Sequence, residues 1–111
     1  MTEKQLQKQI VEFLNYNGCN VWMTNAGQVP IGDTGRRIKV GFAGLSDIIG
    51  IRRRDGRFIA IEVKLPKRRK NVSDKQAEFL AKTKLFGGIV GVATSPEEAL
   101  QIIEERISYE Q

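Results

Sequence analysis

Asp55-Gly56 stands between two apolar, β-branched runs within the stretch 44–64. That dipeptide in that setting is the strongest short-range signal for a β-hairpin with a two-residue turn. With Asp55 and Gly56 as the turn, Arg54 pairs with Arg57, Asp47 falls opposite Lys64, and Ile49 falls opposite Glu62. Strand side chains alternate faces, so Asp47, Glu62 and Lys64 project from one face. The two acids then become diagonal neighbours about 7–8 Å apart, near enough for one cation to bridge them. Phe58, Ile59, Ala60, Ile61 and Val63 leave almost no polar alternation, so the second strand reads as buried on both faces. Taken alone, an acid and a lysine two apart on a strand describe a solvated surface. At the end of a buried strand they are costly unless paired or metal-bound.

Charge and side-chain inventory narrow the chemistry. The chain carries 18 Lys+Arg against 13 Asp+Glu, a formal +5. Nine of the basic residues (Arg52, Arg53, Arg54, Arg57, Lys64, Lys67, Arg68, Arg69, Lys70) fall in one short segment. Clustered positive charge suits a phosphate backbone, although a plain solvated basic surface has the same composition. Histidine is absent, which removes the usual general base, the Ser-His-Asp arrangement and imidazole metal sites. The one cysteine, Cys19, allows neither an internal disulfide nor a thiolate zinc cage. Hydrolytic chemistry in this chain must run on carboxylates, lysine and a hard cation, and oxygen-only ligation favours Mg²⁺ or Mn²⁺. At 111 residues the expectation is one domain, 1–111, with a single modest core. No apolar run approaches 18 residues and no signal peptide is evident, so a cytoplasmic location, bacterial or in a virus-infected host cell, is expected, with no membrane partner.

The rest of the chain supplies helices and one further strand around the hairpin. Thr2 with Gln5 forms a capping-box signature, and Leu6, Ile10, Phe13 and Leu14 recur at helical spacing up to a stop near Gly18. Projected at helical pitch, Glu3 falls on that apolar stripe with Gln7 at its edge, whereas Glu12 falls on the solvent side. Glu3 is open to two readings, a frayed first turn favoured by the helix dipole or a reach toward Asp47 and Glu62. Residues 20–24 read as a strand. The glycine-rich excursion from Asn25 to Leu45, with a possible short hairpin at Gly32-Asp33-Thr34-Gly35, carries Arg36, Arg37 and Lys39. No Gly-x-x-x-x-Gly-Lys-(Ser/Thr) loop occurs, so no nucleotide cofactor is expected. Leu65-Pro66 stops the hairpin's second strand, and the run Lys67, Arg68, Arg69, Lys70 follows. Ser73 and Gln76 form a second capping box on a helix reaching about Leu85, with Ala77, Leu80 and Ala81 inward. Gly87-Gly88 closes it, residues 89–93 form an apolar strand, and Ser95-Pro96-Glu97-Glu98 opens a last helix with Ala99, Ile102, Ile103 and Ile107 inward. The order helix, strand, (strand), strand, strand, helix, strand, helix predicts an α/β fold with a mixed sheet flanked by helices.

Ser46-Asp47, a hairpin, then Glu62-Val63-Lys64 resembles the PD-(D/E)XK nuclease motif, with Ser46 where that superfamily usually has proline. Gly44-x-Ser46-Asp47, the Glu62-x-Lys64 strand end, Ser73 with Gln76, and Gly87-Gly88 together resemble its VRR-NUC branch across nearly the whole chain. The resemblance implies a restriction-endonuclease-like fold and metal-dependent cleavage of DNA. It also implies Asp47, Glu62 and the carbonyl of Val63 as metal ligands, Lys64 at the attacking water or scissile phosphate, and Gln76 and Glu3 as further catalytic groups. Gln76 also reads as a plain helix cap. Adjacent carboxylates and phosphate favour the charged form of Lys64, so positioning and electrostatics suit it better than proton abstraction. Arg36, Arg37, Lys39, Lys67, Arg68, Arg69 and Lys70 are the expected phosphate contacts. Small proteins similar to this one act on branched DNA, four-way junctions included, and a homodimer would place two sites on two strands. Two other classes stay open: a catalytically silent basic nucleic-acid-binding module, and a subunit that mainly assembles with other proteins.

Overall fold

The structure is a computed structural model that describes residues 1–25 and 27–110; for residues 27–30 and 39–40 the description is of the backbone alone. Helix α1 (Glu3–Tyr16) starts on Thr2, whose hydroxyl accepts the Gln5 amide, with Gln5 bonding back to the Thr2 amide. It presents Leu6, Ile10 and Leu14 to the core, with Phe13 only partly covered. Strand β1 (Cys19–Met23) follows, then a separate two-stranded ribbon of β2 (Gly27–Pro30) and β3 (Arg37–Val40), which is the hairpin expected around Gly32-Asp33-Thr34-Gly35. Strands β4 (Ile48–Arg52) and β5 (Phe58–Val63) come next. A one-turn 3-10 helix (Pro66–Arg68) leads to α2 (Asp74–Leu85), β6 (Ile89–Ala93) and α3 (Pro96–Ile103).

The main sheet has the order β1-β4-β5-β6; β1/β4 and β4/β5 are antiparallel, and β5/β6 is parallel across the α2 crossover. This is a restriction-endonuclease-like α/β fold, a mixed sheet between helices. Ile48, Ile59, Ile61 and Val63 turn to one face and bury with Leu6, Ile10 and Leu14 of α1 and Ala99, Ile102 and Ile103 of α3. Ala60 and Val90 turn to the other face and bury under Leu80 of α2. β5 is thus covered on both sides beyond its first residue, as a strand without polar alternation should be. Ile107, expected to extend the inner stripe of α3, lies past the helix end and is 39% exposed. Among the described residues no helix is long and apolar enough to cross a membrane.

The hairpin turn differs from its sequence reading. Arg52 N–H donates to Arg57 O at 2.9 Å, and Gly56 N–H donates back to Arg52 O at 2.7 Å, so residues 53–56 form the loop rather than Asp55-Gly56 alone. The partners become Ile48 with Ile61 and Ile49 with Ala60, two residues away from the expected Ile49–Glu62 pair. The cause is side-chain chemistry: the Asp55 carboxylate takes the Arg52 guanidinium bidentately, Nε to Oδ1 at 3.1 Å and Nη2 to Oδ2 at 2.6 Å. Gly56 takes the positive φ, +71°, that the longer loop needs. Because the shift is even, every side chain keeps its expected face.

Candidate active site

Continuing the β4/β5 register by one step from the Ile48–Ile61 pair puts Asp47 directly opposite Glu62. Directly opposed residues stand about 4.5–5.5 Å apart at Cβ, closer than the diagonal arrangement expected. The Asp47 carboxylate is held by β5 itself, since Val63 N–H donates to Oδ2 at 2.8 Å. From the other side the end of β1 clamps the approach to Asp47: Thr24 N–H donates to Asp47 O at 2.9 Å and Thr24 Oγ1 to Ser46 O at 2.9 Å. Thr24 was not singled out in the sequence, where only its place at a strand end could have drawn attention. Gly44 packs against the first turn of α2; a Cβ at that residue would lie 2.3 Å from Lys75 O, and its φ is +91°. The glycine of Gly44-x-Ser46-Asp47 is therefore needed to bring the Asp47 turn and α2 together.

Glu62 is 1% exposed. Its Oε1 accepts Gln76 Nε2 at 3.0 Å, whereas Oε2 is buried with no hydrogen-bond partner among the described residues. Gln76 is the helix cap and a neighbour of Glu62 at once: Oε1 accepts the Ser73 N–H at 2.9 Å, which leaves the amide nitrogen to face Glu62. Burial, and after it the adjacent Asp47 carboxylate, push the Glu62 carboxyl up to about 9, against the pull of Lys64; Glu3 adds a smaller upward push through its charge. Lys64 and Glu3 therefore lie within electrostatic reach of Glu62, each half-buried at this end of the sheet. Among the described residues no group of three or more His, Cys, Asp or Glu side chains gathers, so Glu3 does not complete a three-acid cluster. Ser46, in the place of the usual proline, is fully buried, and its hydroxyl has no partner among the described residues.

The basic residues divide. Lys67, Arg68 and Lys70 are exposed beyond the Lys64 end of β5, and Arg36, just before β3, and Arg37, its first residue, are exposed. The Lys39 side chain lies outside the described residues. Arg69, expected among the phosphate contacts, is instead tied to α3: its Nη2 pairs with the Glu98 carboxylate and donates to Thr94 Oγ1 at 3.1 Å. Arg52 is buried, bound to Asp55, Glu105 and the Ile103 carbonyl, and Arg57 joins Glu105 and the Gly87 carbonyl. Guanidiniums with intramolecular acceptors, buried like Arg52 or partly exposed like Arg57 and Arg69, are structural ties, which the charge run alone does not reveal.

A buried glutamate opposite an aspartate, a lysine two residues on, and a glutamine from the crossover helix, all at one end of a mixed sheet, match the residue pattern of PD-(D/E)XK nucleases. The VRR-NUC domain matches residues 1–97, and the chain belongs to that family. Membership makes it a nuclease, with DNA as the substrate class that goes with the family. No curated protein matches the chain.

Proposed function

We propose that this chain is a Mg²⁺- or Mn²⁺-dependent DNA endonuclease that cuts branched DNA, four-way junctions included, as a homodimer, in replication or repair. The observation that carries the metal dependence is Glu62 Oε2, a buried carboxylate oxygen with no donor among the described residues, on the residue directly across from a second carboxylate. Such an atom costs several kcal/mol in the fold, on the order of 1–3 or more, unless a cation or proton satisfies it. The donor set is all oxygen and short of protein ligands, which fits a hard divalent ion that keeps part of its water. Asp47, Glu62 and the Val63 carbonyl would hold the ion. When bound it supplies neutralisation of phosphate charge and an acidified water.

The chain's own groups perform the remaining work. The Val63 amide fixes one Asp47 oxygen and Gln76 fixes one Glu62 oxygen, and the second oxygen of each acid would be the one to meet the ion. Lys64 offers an ammonium beside the pair, placed to hydrogen-bond the attacking water or the scissile phosphate. Water oxygen adds to phosphorus and releases a proton to solvent, the bond from phosphorus to the leaving oxygen breaks, and that oxygen takes a proton from solvent water. Exposed Arg36, Lys67, Arg68 and Lys70 neutralise flanking phosphates without reading sequence.

The test is cleavage of supercoiled plasmid and of a synthetic four-way junction with Mg²⁺, Mn²⁺ or EDTA, wild type beside Glu62→Ala. Nicking that needs the ion and is lost by at least about 100-fold in the variant is expected, the order of effect of removing one transition-state stabiliser. Cleavage that survives EDTA or Glu62→Ala sinks the assignment. A strictly monomeric protein at working concentration by light scattering rejects paired cleavage.

A further inference from the structure

α2 lies over only half of its face of the main sheet, where Leu80 covers Ala60 and Val90 on β5 and β6. On the β1/β4 half of that face Trp22 is 51% exposed, and Ile51 on β4 stands open beyond it, beside Phe58 at the start of β5. The register places Trp22 beside Ile49 and Ile49 beside Ala60. That row is the one next to Asp47 and Glu62 on the same face, two residues back along each strand, a step of about 7 Å. The sheet thus ends in two consecutive rows, one of carboxylates and one carrying an open indole.

We propose that Trp22 is a stacking platform for an unpaired nucleobase of the DNA strand whose phosphodiester lies against Asp47 and Glu62. The proposal rests on the nuclease reading and deepens it, since it names the substrate as DNA with a single-stranded or unpaired nucleotide at the cut. A strand whose phosphate reaches the carboxylates carries its neighbouring bases over the adjacent row. An indole lying on a sheet cannot enter an intact duplex stack, so it meets the π-face only of a base already free or flipped out. The exposed cations beyond this end of β5, Lys67, Arg68 and Lys70, match a polyanion with apolar faces better than an apolar protein surface.

Trp22 is the sole tryptophan, so its emission reports on the platform directly. In EDTA, an oligodeoxythymidine and a gapped duplex should quench it, and a blunt duplex of the same length should not. Trp22→Ala should weaken single-strand binding by roughly 10-fold or more, with duplex affinity unchanged, while Trp22→Phe should stay within about threefold of wild type. Melting curves on both variants separate stacking from misfolding, and Phe keeps a ring at the same place. Unquenched emission at saturating labelled oligonucleotide, or equal single-strand affinity in Trp22→Ala, overturns the proposal. So does emission that shifts with protein concentration alone together with a doubled mass, since a second copy then covers the indole. Plasmid nicking in Mn²⁺ runs alongside. Nicking without quenching removes the platform and leaves the nuclease; quenching without nicking removes the nuclease and leaves a base-binding module.

Discussion

Glu62 carries a proton problem that belongs to the single residue. Its carboxyl, raised from an ordinary value near 4.5 to about 9 chiefly by burial, stays protonated in the folded chain over a range where the unfolded chain has lost the proton. Between those two values the native state binds more protons than the unfolded state, so stability falls as pH rises. Metal-free protein in EDTA should therefore lose Tm from pH 5 to pH 9, by roughly 10 °C or more. Glu62→Gln keeps the shape and an amide that needs no proton, so it should flatten that dependence and raise Tm at pH 8. Thermal melts at pH 5, 7 and 9 check it, and an equal slope in Glu62→Gln rejects the assignment of the proton to this side chain. The same buried acid was legible in the sequence because nothing polar surrounds it in Phe58–Val63. Its partner's exact height was not, since two-residue and four-residue loops at Asp55-Gly56 differ only in whether Asp55 reaches Arg52.

At the scale of elements, the site is an agreement between two turns and one helix start. The β4 entry, the β5 exit and the α2 cap meet because Ser73 and Gln76 end one loop while Gly44 lets another pass within contact of Lys75. Helix and strand identities were readable from caps and periodicity: α2 runs from the Ser73 cap to Leu85, and β6 spans the expected residues 89–93. The meeting of the elements was not readable, because Gly44–Lys75 and Thr24–Asp47 are contacts between segments with no local signal for each other. Gly44→Ala makes the dependence measurable. It forces a side chain into a positive-φ position and onto the Lys75 carbonyl, at a cost of about 2 kcal/mol or more. A Tm lower by roughly 8 °C or more is expected, together with loss of nicking beyond what the stability change explains. Gly35→Ala, in the ribbon loop with nothing within 4 Å of its Cβ, should leave nicking intact. Equal effects of the two changes remove the special role given to Gly44.

Across the whole molecule the basic excess serves two ends that composition merges. Arg52 and Arg57 fasten the hairpin loop to Glu105 near the C-terminal end, and Arg69 fastens the 3-10 segment to Glu98 on α3. Each partner lies 29 to 53 residues away in the chain, which no window of sequence can show. Lys67, Arg68 and Lys70 flank Arg69 in sequence and are exposed to water instead. Salt dependence separates the two groups. Each phosphate-neutralising cation contributes about 0.9 to the slope of log K against log salt on duplex DNA. Lys70→Ala and Arg68→Ala should each reduce that slope by about one while leaving Tm nearly unchanged. Arg69→Ala should keep the slope and lower stability by about 1 kcal/mol or less, the value of a partly exposed ion pair. Binding by anisotropy from 50 to 300 mM salt in EDTA, with melts of each variant, decides it. An Arg69→Ala slope that drops as far as that of Lys70→Ala means that the guanidinium leaves Glu98 when DNA arrives, and the division of charges drawn from the free protein then fails for the complex.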